Sequence, residues 1–97
     1  MKDKLNTGMY STTKVEAITY IATIHFDDTT SVDDYDCYDT DTIAAWNTDD
    51  WHFFGIVVTA ERDGWEKTIS SIWGIEGFSN KEYIDSLVAE LISESEE

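Results

Sequence analysis

Between Ile18 and Phe26 apolar and polar residues alternate. Ile18, Tyr20, Ala22, Ile24 and Phe26 share one face of an extended segment, and Thr19, Thr23 and His25 share the other. That period of two predicts a strand over Val15 to Asp27. Val15, Ala17 and Ile21 place apolar groups on the polar side as well, as in a central strand or one covered on both faces. Two later runs form the clearest pattern. Trp51 to Arg62 is rich in β-branched and aromatic residues, and Trp65 to Ile75 follows after Asp63-Gly64. Asp-Gly between two such runs predicts a hairpin, because Gly accepts the positive φ of a type I′ turn. In the second arm Trp65, Ile69, Trp73 and Ile75 share a face that Lys67 and Ser71 interrupt. From Ser79 to Ser93 the period changes to that of a helix. Ile84, Leu87, Val88, Leu91 and Ile92 form a stripe, and Ser79 and Glu82 have capping-box spacing.

Between the first strand and the hairpin lies a segment with a different composition. Asp27, Asp28, Asp33, Asp34, Asp36, Asp39, Asp41, Asp49 and Asp50 fall within it, and it contains no Lys or Arg. Ser31 and Asp34 are spaced to cap a helical start, and Thr42 to Trp46 reads as a short helix. Residues 1–14 are polar and read as a flexible N-terminal tail, leaving residues 15–97 as one domain. The pattern therefore predicts an α+β fold: a three-stranded antiparallel sheet, the C-terminal helix on one face, and a short helix in the acidic connection. Leu87, Val88, Leu91, Ile69, Trp73, Val57 and Ile24 are the expected core. The hairpin is apolar on both faces, Phe53 and Val57 on one and Phe54, Ile56 and Val58 on the other. One helix covers only one face, so the second is expected to be covered by the acidic segment's aromatics, the tail, or a second copy in a homodimer.

Composition sharpens this picture through charge. Six Lys and Arg stand against 21 Asp and Glu, a formal net charge of −15 over 97 residues. Such a surface repels nucleic acid and anionic lipid and attracts cationic proteins, which argues against direct nucleic-acid binding. The length suits one hydrophobic core, and the 41% of hydrophobic residues argues against wholesale disorder. A lone cysteine, Cys37, has no internal disulfide partner. Neither a signal peptide nor a run of ~20 apolar residues is apparent, so a cytoplasmic protein is expected.

Candidate chemistry is sparse. A calcium loop begun at Asp34 places Tyr38 and Asp39 at the fifth and sixth positions. Begun at Asp39, it places Ile43 and Ala44 there, and neither register fits. His25, His52 and Cys37 are too scattered for a transition-metal site. No phosphate loop, nucleophile elbow or His-based triad is present, and Trp73-Gly74-Ile75-Glu76-Gly77-Phe78 reads as turn chemistry. No catalytic residue, metal or cofactor is expected, and the protein is read as a non-enzyme.

The acidic segment is the remaining candidate. Alternate residues of a strand lie ~6.8 Å apart, so Asp34-Tyr35-Asp36 and Asp39-Thr40-Asp41 are spaced to line carboxylates up. At duplex charge density, nine carboxylates match about 15 Å of DNA and the whole net charge about 26 Å. The expected partner-binding set is Asp27, Asp28, Asp33, Asp34, Tyr35, Asp36, Tyr38, Asp39, Asp41, Asp49 and Asp50, with Trp46 and Trp51 interleaved. Glu94, Glu96 and Glu97 extend the acidity at the C-terminus.

In size, acidity and α+β pattern the chain resembles the small acidic proteins that phages and mobile elements direct against host defence, including DNA-mimicking anti-CRISPR and anti-restriction proteins. The block from Asp50-Trp51-His52-Phe53-Phe54 to Trp73-Gly74-Ile75-Glu76 also looks like an element of small phage proteins. The resemblance implies an inhibitor that occupies the basic nucleic-acid-binding groove of a CRISPR effector or restriction enzyme. The alternative is a structural or adaptor protein whose acidity serves solubility.

Overall fold

The computed structural model describes residues 2–95, for Ser95 the backbone alone. In order, the chain forms β1 (Gly8–Val15), β2 (Ile18–Phe26), a 3₁₀ turn (Val32–Asp34), α1 (Thr40–Asn47), β3 (Phe53–Arg62), β4 (Trp65–Glu76) and α2 (Lys81–Ser95). The α+β class holds, but the sheet has four antiparallel strands rather than three, in the order β1-β2-β3-β4. The extra strand comes from residues expected to be tail. Gly8 to Val15 pairs with β2 through a tight turn at Glu16-Ala17, where Val15 faces Ile18. Its Tyr10, Thr12, Thr13 and Val15 suit a strand. Its inward contact is Tyr10, which packs on the main core and donates a hydrogen bond to Asp85 on α2 at 2.5 Å. An edge strand with so little apolar alternation gives no periodic signal.

The hairpin forms as its sequence predicts. Arg62 pairs with Trp65, and Asp63 and Gly64 take φ of 52° and 81°. The expected cap of α2 is displaced by one residue. Asn80 Oδ1, rather than Ser79, accepts from the Tyr83 amide at 2.8 Å, so the helix starts at Lys81.

Two cores result. Tyr20, Ala22 and Ile24 of β2, Phe54, Ile56, Val58 and Ala60 of β3, and Ile75 of β4 bury one sheet face against the stripe Ile84, Leu87, Val88, Leu91 and Ile92 of α2. Of the expected core, Ile24, Leu87, Val88 and Leu91 are buried, Val57 and Ile69 are half-buried, and Trp73 is 48% exposed. Trp73 sits outside because a bulge in β4, between the pairs Phe54–Ile75 and Ile56–Ile72, turns both isoleucines toward α2 and leaves Trp73 on the other face. Its indole lies over Gly55, where any Cβ would collide with the ring. A second core, Val32, Trp51 and Phe53 with Tyr38, Ile43, Ala45, Trp46 and Phe78 packed around it, closes the end of the sheet from which the acidic connection departs. The connection's aromatics, Tyr38 and Trp46 among them, cover Phe53 at one end of the sheet's second face and leave Trp73 further along that face exposed.

The molecule is elongated, 48 × 23 × 22 Å, with a radius of gyration of 15.0 Å, against about 12.5 Å for a compact chain of this length. A 15-residue helix spans about 22 Å, so α2 cannot cover the twelve-residue β4. The hairpin tip projects into solvent with Trp65 54% exposed.

Candidate acidic interface

The acidic connection is built by its own side chains before it offers any to solvent. Asp27 ends β2 and turns inward, 7% exposed. Its Oδ1 accepts from the amide and hydroxyl of Thr29 and the amide of Thr30, and its Oδ2 from the Thr30 hydroxyl at 2.6 Å and the Gly74 amide at 2.8 Å. Burial pushes this carboxyl up. The hydrogen bonds from Thr30, Thr29 and Gly74 more than offset that and hold its pKa at about 2. Ser31 and Asp34 close a reciprocal capping box on the 3₁₀ turn. Asp39 caps α1, accepting from the Thr42 amide at 2.8 Å, and its carboxyl is lowered by the hydrogen bonds from Thr42.

Beneath this shell lies the second core. Trp51, fully buried, donates from Nε1 to the Thr42 carbonyl at 2.9 Å. Its ring meets Phe53 and Phe78 edge-on at centroid distances of 5.0 and 4.9 Å. Tyr38 packs against Trp51 and Phe53; burial, then the Glu76 charge, push its phenol up. Tyr35 stands T-shaped on Tyr38 and is 45% exposed. Of the two tyrosines in the expected set, Tyr35 presents its ring to solvent and Tyr38 supports it from below.

Of the nine aspartates, Asp27 is withdrawn into the fold. The other eight, Asp28, Asp33, Asp34, Asp36, Asp39, Asp41, Asp49 and Asp50, are exposed. They do not form the expected strand-spaced line. Asp34 lies in the 3₁₀ turn, Asp36 in the bend after it, Asp39 at the cap and Asp41 in the first turn of α1. Their Asp and Thr neighbours cap and turn more readily than they extend. Eight carboxylates match about 14 Å of duplex by charge.

Among the described residues no Lys or Arg forms an ion pair with them. The basic residues nearest in the N-terminal strap are Lys2 and Lys4, which flank Asp3, whose amide donates to the Asp50 carbonyl. Among the described residues the ion pairs are His52 with Asp3 and Asp49, Arg62 with Asp63, and Lys81 with Asp85. The ladder register places Lys14, Lys67 and Arg62 at the far end of the sheet, beside the β1–β2 turn and the hairpin tip. Glu94 is exposed on the last turns of α2, where Ser93 shares a groove with Thr13 at that same far end; it does not extend the acidic connection. Glu96 and Glu97 lie outside the described residues.

Sequence reasoning missed two features. The first is Asp3, whose carboxylate accepts from the His52 amide at 2.8 Å and lies 2.6 Å from His52 Nδ1. With the amides of Lys4 and Leu5 donating to the Gly77 carbonyl, it straps the N-terminal segment to the start of β3. The contacts with His52 span 49 residues and those with Gly77 more than 70, and nothing local signals them. The second is a recess of about 260 Å³ at the end of α1, lined by Asp28, Asp49, Trp46, His52 and Phe53 among others. Trp46 followed three residues later by Asp49 was its only trace in the sequence.

His25 and His52 are engaged separately, His25 with Thr23 and His52 with Asp3, and Cys37 is exposed. Among the described residues no group of three or more His, Cys, Asp or Glu side chains is placed to hold a metal, and no helix is long and apolar enough to cross a membrane. No family model matches the chain, no curated protein matches it in sequence, and no solved structure matches it in fold.

Proposed function

We propose that the protein is a non-catalytic inhibitor. In this reading it covers the basic nucleic-acid-binding groove of a host defence protein, such as a CRISPR effector or restriction enzyme, in the host cytoplasm. One observation carries this reading. Eight exposed carboxylates, none in an ion pair with Lys or Arg among the described residues, stand on a connection fixed by an aromatic core, capping bonds and the Asp27–Gly74 link. Acid runs kept only for solubility need no such scaffold. A fixed array loses less entropy on docking than a loose one, and its field steers a cationic partner over long range.

The test is capture from host-cell lysate at low and high salt, followed by competition with duplex DNA. The proposal expects a basic nucleic-acid-binding protein that is held at low salt, released at high salt and displaced by DNA. Capture that DNA does not disturb contradicts it.

A second reading rests on the sheet face away from α2. Met9 is 72% exposed there, and the half-exposed Trp73 lies over Gly55 beside His25, their ring centroids 6.4 Å apart. That surface suits an adaptor, or a second copy of the chain, held by apolar contact. Its binding would barely respond to salt, and light scattering at micromolar concentration tests the dimer.

A further inference from the structure

We propose that the recess at the C-terminal end of α1 receives one arginine side chain of a basic protein partner; this rests on the acidic-interface reading and gives it an anchor point. The recess holds about 260 Å³, below the ~300–1,000 Å³ of small-molecule pockets and of a size for a single side chain. Its apolar walls are Trp46, half-buried, and Phe53, buried, the two rings 6.4 Å apart. Asp28 and Asp49 line it as exposed carboxylates, and neither pairs with a Lys or Arg. Asn47, also in the lining, is the last residue of α1, whose final turn contains no basic residue.

Aromatic walls with negative charge around them are the recognition chemistry of a cation stacked on a ring. A guanidinium fits better than an ammonium. It is planar, weakly hydrated, stacks on indole, and bonds two acceptors at once. The rest of the recess is already committed. Asp27, also in the lining, has its carboxylate filled by Thr29, Thr30 and Gly74, and His52 is held through Nδ1 by Asp3, with its Nε2 3.8 Å from Asp49. Asp28, and Asp49 beyond that loose contact with His52, are the acids left to meet an incoming cation.

The probe is N-acetylargininamide, followed by NMR at the Trp46 indole N–H, which is assigned by its loss in Trp46→Phe. The expected result is a saturable shift that weakens about tenfold in the Asp28→Asn/Asp49→Asn double variant. Asp33→Asn/Asp36→Asn, with the same change in charge, should leave it nearly unaltered. All four positions are exposed, and amide spectra of each variant verify the fold. No saturable shift, or equal weakening by the two pairs, overturns the recess as a site. An equal response to N-acetyllysinamide overturns its assignment to arginine. Capture of a DNA-displaceable partner by a chain whose Trp46 ignores arginine would discard the recess and keep the wider reading. Arginine binding without any such partner would do the reverse.

Discussion

Asp27 Oδ2 accepts a hydrogen bond from the Gly74 amide at 2.8 Å, across 47 residues of sequence. The first aspartate of the acidic run is thus the one that folds it, tying the end of β2 to β4 while its neighbours face solvent. Replacing it with Asn turns an acceptor of five hydrogen bonds into a group whose NH₂ faces donors. Asp27→Asn should cost about 2 kcal/mol, the worth of a carboxyl lowered from 3.8 to about 2. Because the folded-state pKa is depressed, that stabilisation is complete above about pH 4 and is lost as pH falls through 2. The difference in Tm between wild type and variant should therefore shrink as pH is lowered from 5 to 2. A difference that does not depend on pH would mean that the carboxylate charge plays no part.

Trp51, fully buried, supports the acidic connection from beneath. Trp51→Ala removes the centre of the second core and the bond to the Thr42 carbonyl, and should cost about 3–5 kcal/mol. Trp51→Phe keeps most of the packing and loses the bond, about 0.5–1.5 kcal/mol. Both leave every carboxylate in place. The array is useful only when held, so partner binding should fall in the Ala variant and survive in the Phe variant. Denaturant melts and partner titrations run on the same samples check this.

Gly55 and Trp73 form a matched pair on the open sheet face. A methyl group at position 55 would occupy the space of the indole, so Gly55→Ala must swing Trp73 outward. Because Trp73 is already half exposed, the cost should be modest, about 1 kcal/mol. Acrylamide quenching of tryptophan fluorescence should rise. Unchanged quenching would mean that the ring does not rest there.

The legible parts of this fold were those with local periodicity. β3, β4 and α2 follow from alternation, from Asp63-Gly64 and from the stripe Ile84 to Ile92. β1 was not legible, because an edge strand with Tyr10 as its inward contact carries no period. The acids were visible as a composition, but their division of labour was not. Asp27 is distinguished by a partner on β4, Asp34 and Asp39 by amides of their own turns, and Asp3 by His52. Trp73 reads as core because the sequence does not say that Gly55 lies beneath it and no helix above.

The central claim is that the exposed aspartates are the binding surface. The caps are made by Ser31, Asp34 and Asp39, and among the described residues the carboxylates of Asp28, Asp33, Asp36 and Asp50 form no hydrogen bond or ion pair, so they can be reversed without dismantling the fold. Replacing all four with Lys adds eight units of charge and takes the net charge from −15 to about −7. Exposed charges contribute only about 0–1 kcal/mol per pair, and mutual repulsion is relieved, so the melting temperature should not fall. Affinity for the captured partner, measured by titration at physiological salt, should drop by about a hundredfold or more, since like charges facing each other cost several kcal/mol. A folded quadruple variant that binds that partner as tightly as wild type would contradict the account and return the acidity to solubility.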